Sequence, residues 1–162
     1  MNITQTILVV EDGISDQLLL AEAFRSNGVR NPIRVVNNGT EAIAYLEGRG
    51  KYADRVAFPY PAFIMTDVKM AGGAYGFDVL DYLRLHPECG VTPPVVFSAS
   101  ADKDDVQKAY MLGASGYLQK PPTFPQLKDL LSKLHDFWMA CELPDMDENG
   151  KRLPTNGAGK PG

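Results

Sequence analysis

ILVVED, at residues 7–12, is an apolar, strand-like run that ends in two carboxylates. Three later runs follow the same pattern and end in an acid, a hydroxyl or an amine: FIMTD at 63–67, VVFS at 95–98 and YLQK at 117–120. In an open parallel α/β sheet, the carboxyl ends of the strands gather along one edge, where ligands bind. The sequence therefore predicts that these distant polar side chains meet at one site.

Alternating strand-like and helical patterns predict the fold class. Short, apolar β-branched runs recur at 6–10, 33–36, 62–66, 94–98 and 116–119, and a helical pattern follows each of them. This alternation is typical of five βα units that build a parallel sheet. Two helix starts have capping-box spacing, since Asn38 precedes Glu41 and Thr123 precedes Gln126 by three residues.

The last helical pattern is the most regular, and it marks the end of the predicted domain. Its apolar residues recur at three- and four-residue steps: Leu127, Leu130, Leu131, Leu134 and Trp138. After it the chain loses apolar periodicity, and residues 148–162 contain four Gly and two Pro. We therefore expect one domain over 1–142, a disordered tail over 143–162 and no second domain.

Size and composition limit the possible functions. A chain of 162 residues with 44% hydrophobic and 22% charged residues fits one globular domain. The formal charge of −4, without an Arg/Lys stripe, argues against nucleic acid as a partner. Two cysteines give neither a disulfide framework nor a metal-binding spacing, and no apolar run approaches membrane-spanning length. We expect a cytoplasmic protein with no membrane partner.

Glu11 and Asp12 are candidate ligands of a divalent cation. Two carboxylates at a strand end are costly to bury unless a cation or a hydrogen-bond donor compensates them. Mg²⁺ prefers oxygen ligands and is typically held by one or two carboxylates together with a phosphate group. A simpler interpretation is that Asp12 only caps the first helix.

Asp67 and Lys120 are candidates for phosphoryl chemistry. A lone carboxylate at the end of the expected central strand can act as a phosphoryl nucleophile when a metal neutralises the incoming charge. An ammonium on a flexible stem is a suitable partner for a carboxylate and then for a phosphate. Taken singly, each residue has a simpler interpretation: Asp67 caps the following turn, and Lys120 is a solvated surface lysine.

An acid pair, a single Asp, a Ser and then Lys-Pro occur here in the order that resembles the receiver domain of two-component response regulators, over about residues 5–140. The resemblance implies a flavodoxin-like, doubly wound (βα)5 fold with a five-stranded parallel sheet in the order 2-1-3-4-5. It also implies that Asp67 is the phosphoacceptor. Mg²⁺ would then be held by Glu11, Asp12, Asp67 and the backbone carbonyl of Lys69.

The same resemblance assigns roles to the remaining candidates. Ser98 occupies the position where a receiver hydroxyl donates to a phosphoryl oxygen, and Lys120 occupies the position of the family's lysine. Pro121 follows Lys120 as it does in the family, where that peptide bond is usually cis. Tyr117 matches the switch aromatic of the last strand, although a half-buried strand tyrosine with no such role is the simpler alternative.

One loop departs from the family pattern. Receivers have Met three residues after the phosphoacceptor, Pro at four and Gly at about eight. Here Met70 matches, Ala71 replaces the Pro and Gly76 falls at nine. The sequence therefore predicts an extended loop over Ala71–Gly76.

Among receivers, the chain most resembles the small regulators that pair with bacterial phytochromes. This narrower resemblance depends on the extended stretch from Tyr45 to Pro61 and on Phe137-Trp138 followed by Leu143-Pro144. It implies a phytochrome-type histidine kinase as partner, and a homodimer.

These patterns together predict a single-domain response regulator, which is a phosphoaccepting signalling module rather than an enzyme. The signal would leave through the face of the fourth helix, last strand and fifth helix, where Tyr110, Tyr117 and Phe124 are candidate contact or switch residues. A phosphatase of the haloacid dehalogenase type needs a second Asp two residues after the nucleophile, where this chain has Lys69. A degenerate receiver that binds proteins without phosphorylation stays open as the alternative.

Overall fold

Five parallel strands form one sheet with helices on both faces in the computed structural model, which describes residues 2–70, 76–88 and 94–154. The elements in chain order are β1 (Thr6–Val10), α1 (Ile14–Ser26), β2 (Ile33–Val36), α2 (Gly39–Glu47), a 3₁₀ turn (Gly50–Tyr52), β3 (Pro61–Thr66), α3 (Gly76–Leu85), β4 (Val95–Ser98), α4 (Lys103–Met111), β5 (Gly116–Gln119) and α5 (Phe124–Ala140). The strand order is β2-β1-β3-β4-β5, and each neighbouring pair is parallel. The predicted fold class and strand order are confirmed.

Strand β1 shows how the sheet divides the core between its two faces. Ile7 and Val9 belong to the cluster that includes α1 and α5, whereas Leu8 and Val10 belong to the cluster that includes α2 and α3. Side chains alternate between the two faces along a strand. A central parallel strand covered on both faces is therefore apolar at every position. This two-sided burial explains the unbroken apolar run at residues 7–10.

Helix α5 packs on the sheet with the apolar stripe that the sequence predicts. Leu127, Leu131, Leu134 and Trp138 are buried. The Trp138 ring stacks on Phe63 of β3, with the ring centroids 4.8 Å apart. Trp138 therefore anchors α5 to the middle of the sheet. None of the helices in the described ranges is long and apolar enough to cross a membrane.

Both helix starts with capping-box spacing show the N-cap half of that motif. The Asn38 side chain accepts a hydrogen bond from the Glu41 amide (2.8 Å), and the Thr123 hydroxyl accepts one from the Gln126 amide (3.4 Å). Each contact satisfies one of the backbone N–H groups that a helix start leaves without a partner. The caps fix where α2 and α5 begin.

The extended stretch between α2 and β3 folds back as an aromatic cluster. The Tyr52 ring lies 5.0 Å from the Tyr45 ring and 5.2 Å from the Phe58 ring, between centroids. Arg55 donates to the carbonyls of Tyr45 and Leu46 at the end of α2, at 2.8 Å each. The stretch packs back along α2 as far as its first turn, where the Tyr52 hydroxyl donates to Glu41 Oε1 (3.2 Å).

The segment after α5 makes defined contacts over residues 143–154. Met146 pairs with Arg152 in an antiparallel bridge, and Gly150 lies against the Tyr60 ring with a φ of 78°. The turn contains Asn149-Gly150, a dipeptide that favours hairpin turns. This arrangement differs from the disordered tail expected over 143–162, while the domain boundary at 142 stays a prediction. Residues 155–162, and residues 71–75 of the predicted extended loop, lie outside the described residues.

Candidate functional site

The carboxyl ends of four strands bring the candidate side chains to one edge of the sheet. Glu11 follows β1, Asp67 follows β3, Ser98 ends β4 and Lys120 follows β5. Backbone hydrogen bonds hold these ends in register, because the Asp67 amide donates to the Val10 carbonyl (3.0 Å) and the Lys120 amide to the Ser98 carbonyl (2.8 Å). The predicted convergence of distant polar residues at one edge is therefore present.

The Lys120 ammonium is the centre of this arrangement. Its Nζ donates to Glu11 Oε2 (2.7 Å), Asp16 Oδ2 (2.8 Å) and Asp67 Oδ2 (2.9 Å). Because a lysine has three N–H donors, all three are in use. The Lys120 side chain is only 13% exposed, so the simpler interpretation of a solvated lysine is wrong. The described residues contain no cis peptide bond, so the bond to Pro121 is trans.

Burial strengthens the interaction of the Lys120 ammonium with the carboxylates of Glu11 and Asp67. The side chains of Glu11 and Asp67 are 2% and 6% exposed. Burial raises the pKa of Glu11, although hydrogen bonds from Lys120 and from the Gly13 amide oppose the shift. Burial also acts to lower the pKa of Lys120, but its hydrogen bonds to Asp16, Glu11 and Asp67 outweigh burial and the pKa is raised. Lys120 therefore stays charged and compensates the buried carboxylates.

Both carboxylate oxygens of Asp67 are held. Oδ2 faces Lys120, and Oδ1 accepts a hydrogen bond from the Lys69 amide (2.9 Å). The hydrogen bond from the Lys69 amide is the turn-capping contact that the simpler interpretation of Asp67 predicts. Asp67 makes this contact and the ion pair with Lys120 at the same time. Gly76, at the start of α3, lies so close to the Asp67 carbonyl oxygen that a Cβ would be 1.7 Å from it. Close backbone approach therefore requires glycine there.

The predicted Mg²⁺ ligands lie around the same strand ends. Glu11 has both oxygens engaged, Oε1 by the Gly13 amide (3.0 Å) and Oε2 by the lysine ammonium. Asp12 follows it directly and is half-buried. The N-cap of α1 is Gly13, so Asp12 lies one residue before the cap position, and its role as a metal ligand stays a prediction.

The chemistry of this donor set fits a hard cation. Within residues 2–70, 76–88 and 94–154, no three His, Cys, Asp or Glu side chains are grouped to hold a metal ion by themselves. Mg²⁺ does not need such a group, because it is usually bound by one or two carboxylates and completes its shell with water and substrate phosphate. The Asp12 and Asp67 carboxylates and the Lys69 carbonyl are donors of this kind.

Ser98 and Tyr117 lie on neighbouring strands beside the acidic cluster. Ser98 is fully buried, and its Oγ accepts a long hydrogen bond from the Ser100 amide (3.4 Å). The half-buried Tyr117 donates from its hydroxyl to the Ser100 carbonyl (2.7 Å). Burial raises the pKa of Tyr117, and a hydrogen bond with Ser98 opposes the shift. The turn after β4 thus connects the phenol to the strand end that carries Ser98.

Asp16 is the site residue that the sequence interpretation missed. It lies in the first turn of α1, and it contacts Lys120 although 104 positions separate them. The available signal was an acid shortly after the Glu11-Asp12 pair. An acid in a first helical turn is ordinarily explained by the helix dipole, so this signal did not single it out.

The sequence matches the family described as response regulator receiver domain over residues 7–132. This chain belongs to that family. Receiver domains are signalling modules and not classical enzymes. The sheet order described above is thus the fold of a receiver domain.

Solved relatives extend the likeness to phytochrome-associated regulators. Response regulator Rcp1 of Synechocystis sp. is 28% identical over 138 residues, which cover 85% of this chain and 91% of that protein. Its Mn(2+)-bound structure has a TM-score of 0.76 at 27% identity, covering 87% and 99% of the two chains. Response regulator RPA3017, from red light signaling of R. palustris, has a TM-score of 0.81 at 30% identity, covering 88% and 99%. The phosphorylated cyanobacterial phytochrome response regulator RcpA has a TM-score of 0.79, with the same identity and coverage. The narrower resemblance predicted from the sequence is confirmed.

Proposed function

We propose that this receiver is a single-domain response regulator that accepts a phosphoryl group on Asp67 from a phosphohistidine of a histidine kinase. The observation that carries the proposal is the 2.9 Å contact between Lys120 Nζ and Asp67 Oδ2 in a buried cluster. It places a fixed positive charge beside the nucleophile, where the phosphoryl group brings negative charge. Signalling would follow from protein contacts that depend on phosphorylation.

The residues have separable roles in the transfer. An Asp67 carboxylate oxygen attacks phosphorus, and the P–N bond to the donor imidazole breaks. The nitrogen keeps the electron pair and takes up a proton. Lys120 shifts one hydrogen bond from Asp67 to a phosphoryl oxygen, and the Ser98 hydroxyl donates to another. Asp12, Asp67 and the Lys69 carbonyl, with Glu11 beside them, would hold a Mg²⁺, which neutralises phosphoryl charge when bound.

The direct test is phosphorylation by acetyl phosphate with Mg²⁺, followed by intact-protein mass. The wild type should gain one phosphoryl group, and Asp67→Asn should gain none. Asp81→Asn is the matched control, because Asp81 lies on α3 in an exposed pair with Arg84. Undiminished labelling of Asp67→Asn would contradict the proposal. A wild type that stays unlabelled by small donors and by kinases, yet binds its partner, would favour the degenerate receiver.

A phosphatase mechanism has no support from the residue two positions after Asp67. That residue is Lys69, and its Nζ pairs with Asp105 of α4 (2.9 Å). Pairing with Asp105 raises the pKa of Lys69, so the side chain is a cation tied to α4. It is not the carboxyl group that this type of phosphatase uses as its general acid, and the raised pKa makes it a weaker proton donor.

The kinase contact is best placed on α1 beside the acidic cluster. Ile14 and Leu18 are four residues apart on one helix face and are 74% and 67% exposed. A phytochrome-type kinase is supported by the likeness to RPA3017 and RcpA. The proposed function implies a cytoplasmic location, because a histidine kinase takes its phosphoryl group from ATP. Leu18→Asp should slow transfer from the cognate kinase but not from acetyl phosphate. Val56→Asp is the control, since Val56 is 93% exposed in the loop before β3. Equal kinase rates for both variants would exclude this face.

The homodimer face is proposed on α4, β5 and α5. Tyr110 and Met111 of α4 are 51% and 74% exposed, and Phe137 of α5 is 62% exposed. Aromatic residues and Met are enriched in interfaces. Tyr117 and Phe124 are half-buried, so they are better placed as switch residues than as contacts. In sedimentation experiments, beryllofluoride should shift the wild type toward dimer, and Met111→Lys should reduce this shift. If both proteins sediment identically with and without beryllofluoride, the α4-β5-α5 face is excluded as the dimer interface.

A further inference from the structure

Asp16 of α1 shares the lysine ammonium with the phosphoacceptor. Its Oδ2 lies 2.8 Å from Lys120 Nζ, and its side chain is 43% exposed. The other two carboxylates on this ammonium, those of Glu11 and Asp67, are 2% and 6% exposed. Asp16 is therefore the member of the cluster at the solvent boundary, which a phosphoryl donor must cross to reach Asp67.

Two physical consequences follow from this position. The first concerns Lys120, which has no spare N–H donor and must release one carboxylate to bind a phosphoryl oxygen. The contact with Asp16 holds the ammonium toward α1 and opposes its movement. The second concerns charge. Asp16 and Asp67 bind the same Nζ, so their oxygens lie within roughly 6 Å of each other, where an incoming anion meets both charges.

We propose that Asp16 is a positioning residue that anchors Lys120 to α1 and slows phosphoryl transfer to Asp67 from small anionic donors. The inference rests on the proposed function and adds donor selectivity to it. With acetyl phosphate, an Asp67 oxygen attacks phosphorus, the P–O bond to acetate breaks, and acetate leaves with the electron pair. A kinase docked on the protein surface holds its phosphohistidine at the site through other contacts, so Asp16 disfavours the small donor more than the protein donor.

Three variants test the proposal in the full chain. Asp16→Asn keeps the shape and removes the charge, and Asp16→Glu keeps the charge. Glu22→Gln removes a charge elsewhere on α1, where Glu22 forms an exposed pair with Arg25. With acetyl phosphate and Mg²⁺, Asp16→Asn should be phosphorylated about threefold to tenfold faster than wild type, and high salt should narrow the difference. Asp16→Glu should stay slow, and Glu22→Gln should match the wild type.

A measurement without Mg²⁺ checks the anchor itself. In NMR spectra of the metal-free protein, the Lys120 ammonium protons should exchange with water faster in Asp16→Asn than in wild type, and Asp16→Glu should restore slow exchange. Asp16→Ser supplies a second uncharged variant if Asp16→Asn folds poorly. If the wild type is labelled at Asp67, and Asp16→Asn and Asp16→Ser are labelled at the same rate as the wild type, this inference alone is overturned. Absence of wild-type labelling by both acetyl phosphate and a histidine kinase overturns the proposed function, whatever the NMR result.

Discussion

Replacing Lys120 by Met should destabilise the metal-free protein by about 3–5 kcal/mol at neutral pH, the usual cost of removing one partner from a buried ion pair. The size of the effect follows from the burial of Glu11 and Asp67, whose side chains are 2% and 6% exposed and each lose a hydrogen bond from the ammonium. The contact with Asp16 adds little, because water screens a side chain that is 43% exposed.

The loss should depend on pH with a defined sign. Burial raises the pKa of Glu11 above its ordinary value of 4.5 in the folded protein. The folded state therefore binds this proton more tightly than the unfolded state, and stability falls as pH rises through the folded pKa. Lys120 opposes this rise in the pKa of Glu11. Without Lys120 the pKa of Glu11 should rise further, so the free energy of unfolding of Lys120→Met should fall more with increasing pH than that of the wild type. The pKa of Lys120 is raised from 10.5, so its own contribution persists across this range and is lost only at higher pH.

Urea unfolding followed by tryptophan fluorescence would measure the effect. Trp138 is the single tryptophan and is 1% exposed against Phe63, so its emission reports loss of the core. The titrations are run with EDTA from pH 5 to pH 8. Lys133→Met is the control, because Lys133 forms an exposed pair with Asp129 and should change stability by less than about 0.5 kcal/mol. Equal stability of the two variants at every pH would refute the reasoning.

Three further predictions concern two glycines and Tyr117. Gly76→Ala should cost about 2–4 kcal/mol, since its Cβ would lie 1.7 Å from a backbone oxygen, whereas Gly116→Ala meets nothing within 4 Å and should be nearly neutral in urea unfolding. Gly150→Ala should expose residues 143–154 to protease, because its Cβ would lie 2.3 Å from the Tyr60 ring. Gly28→Ala is the control, since Gly28 has a similar positive φ but nothing within 4 Å of the added Cβ, and this variant should resist protease like the wild type. Equal cleavage of the two variants would contradict the packing of Gly150 on Tyr60. Tyr117→Phe should lose about 1 kcal/mol with its hydrogen bond, yet keep labelling by acetyl phosphate; loss of labelling would make the hydroxyl part of the transfer chemistry.

Local patterns were sufficient to predict most of the fold. The predicted run at 33–36 coincides with β2, and that at 116–119 with β5. Asn38 and Thr123 cap the helices that they were predicted to start. These features depend on side-chain alternation and on hydrogen bonds within a few residues, which a sequence displays directly.

The segment after α5 differs from what its local pattern predicts. The glycines after residue 148 favour disorder by composition, but Gly150 has a φ of 78° that lets the chain turn and pack against Tyr60. The same glycine can serve a flexible tail or a tight turn, and packing against a distant residue decides between them. The partner of Gly150 lies 90 positions earlier in the chain and cannot be identified from the local pattern.

The sequence alone determined the order of strands and helices, and it identified Glu11, Asp12, Asp67, Ser98 and Lys120 as members of one edge, because parallel strands align their carboxyl ends. Tertiary structure decided how the charges are shared. It showed that Lys120 binds Asp16 as well as Glu11 and Asp67, and that both oxygens of Glu11 are engaged. Sequence spacing cannot give these contacts, because they depend on where α1 places Asp16 relative to the end of β5. They also depend on burial, which sets the strength of each charge interaction.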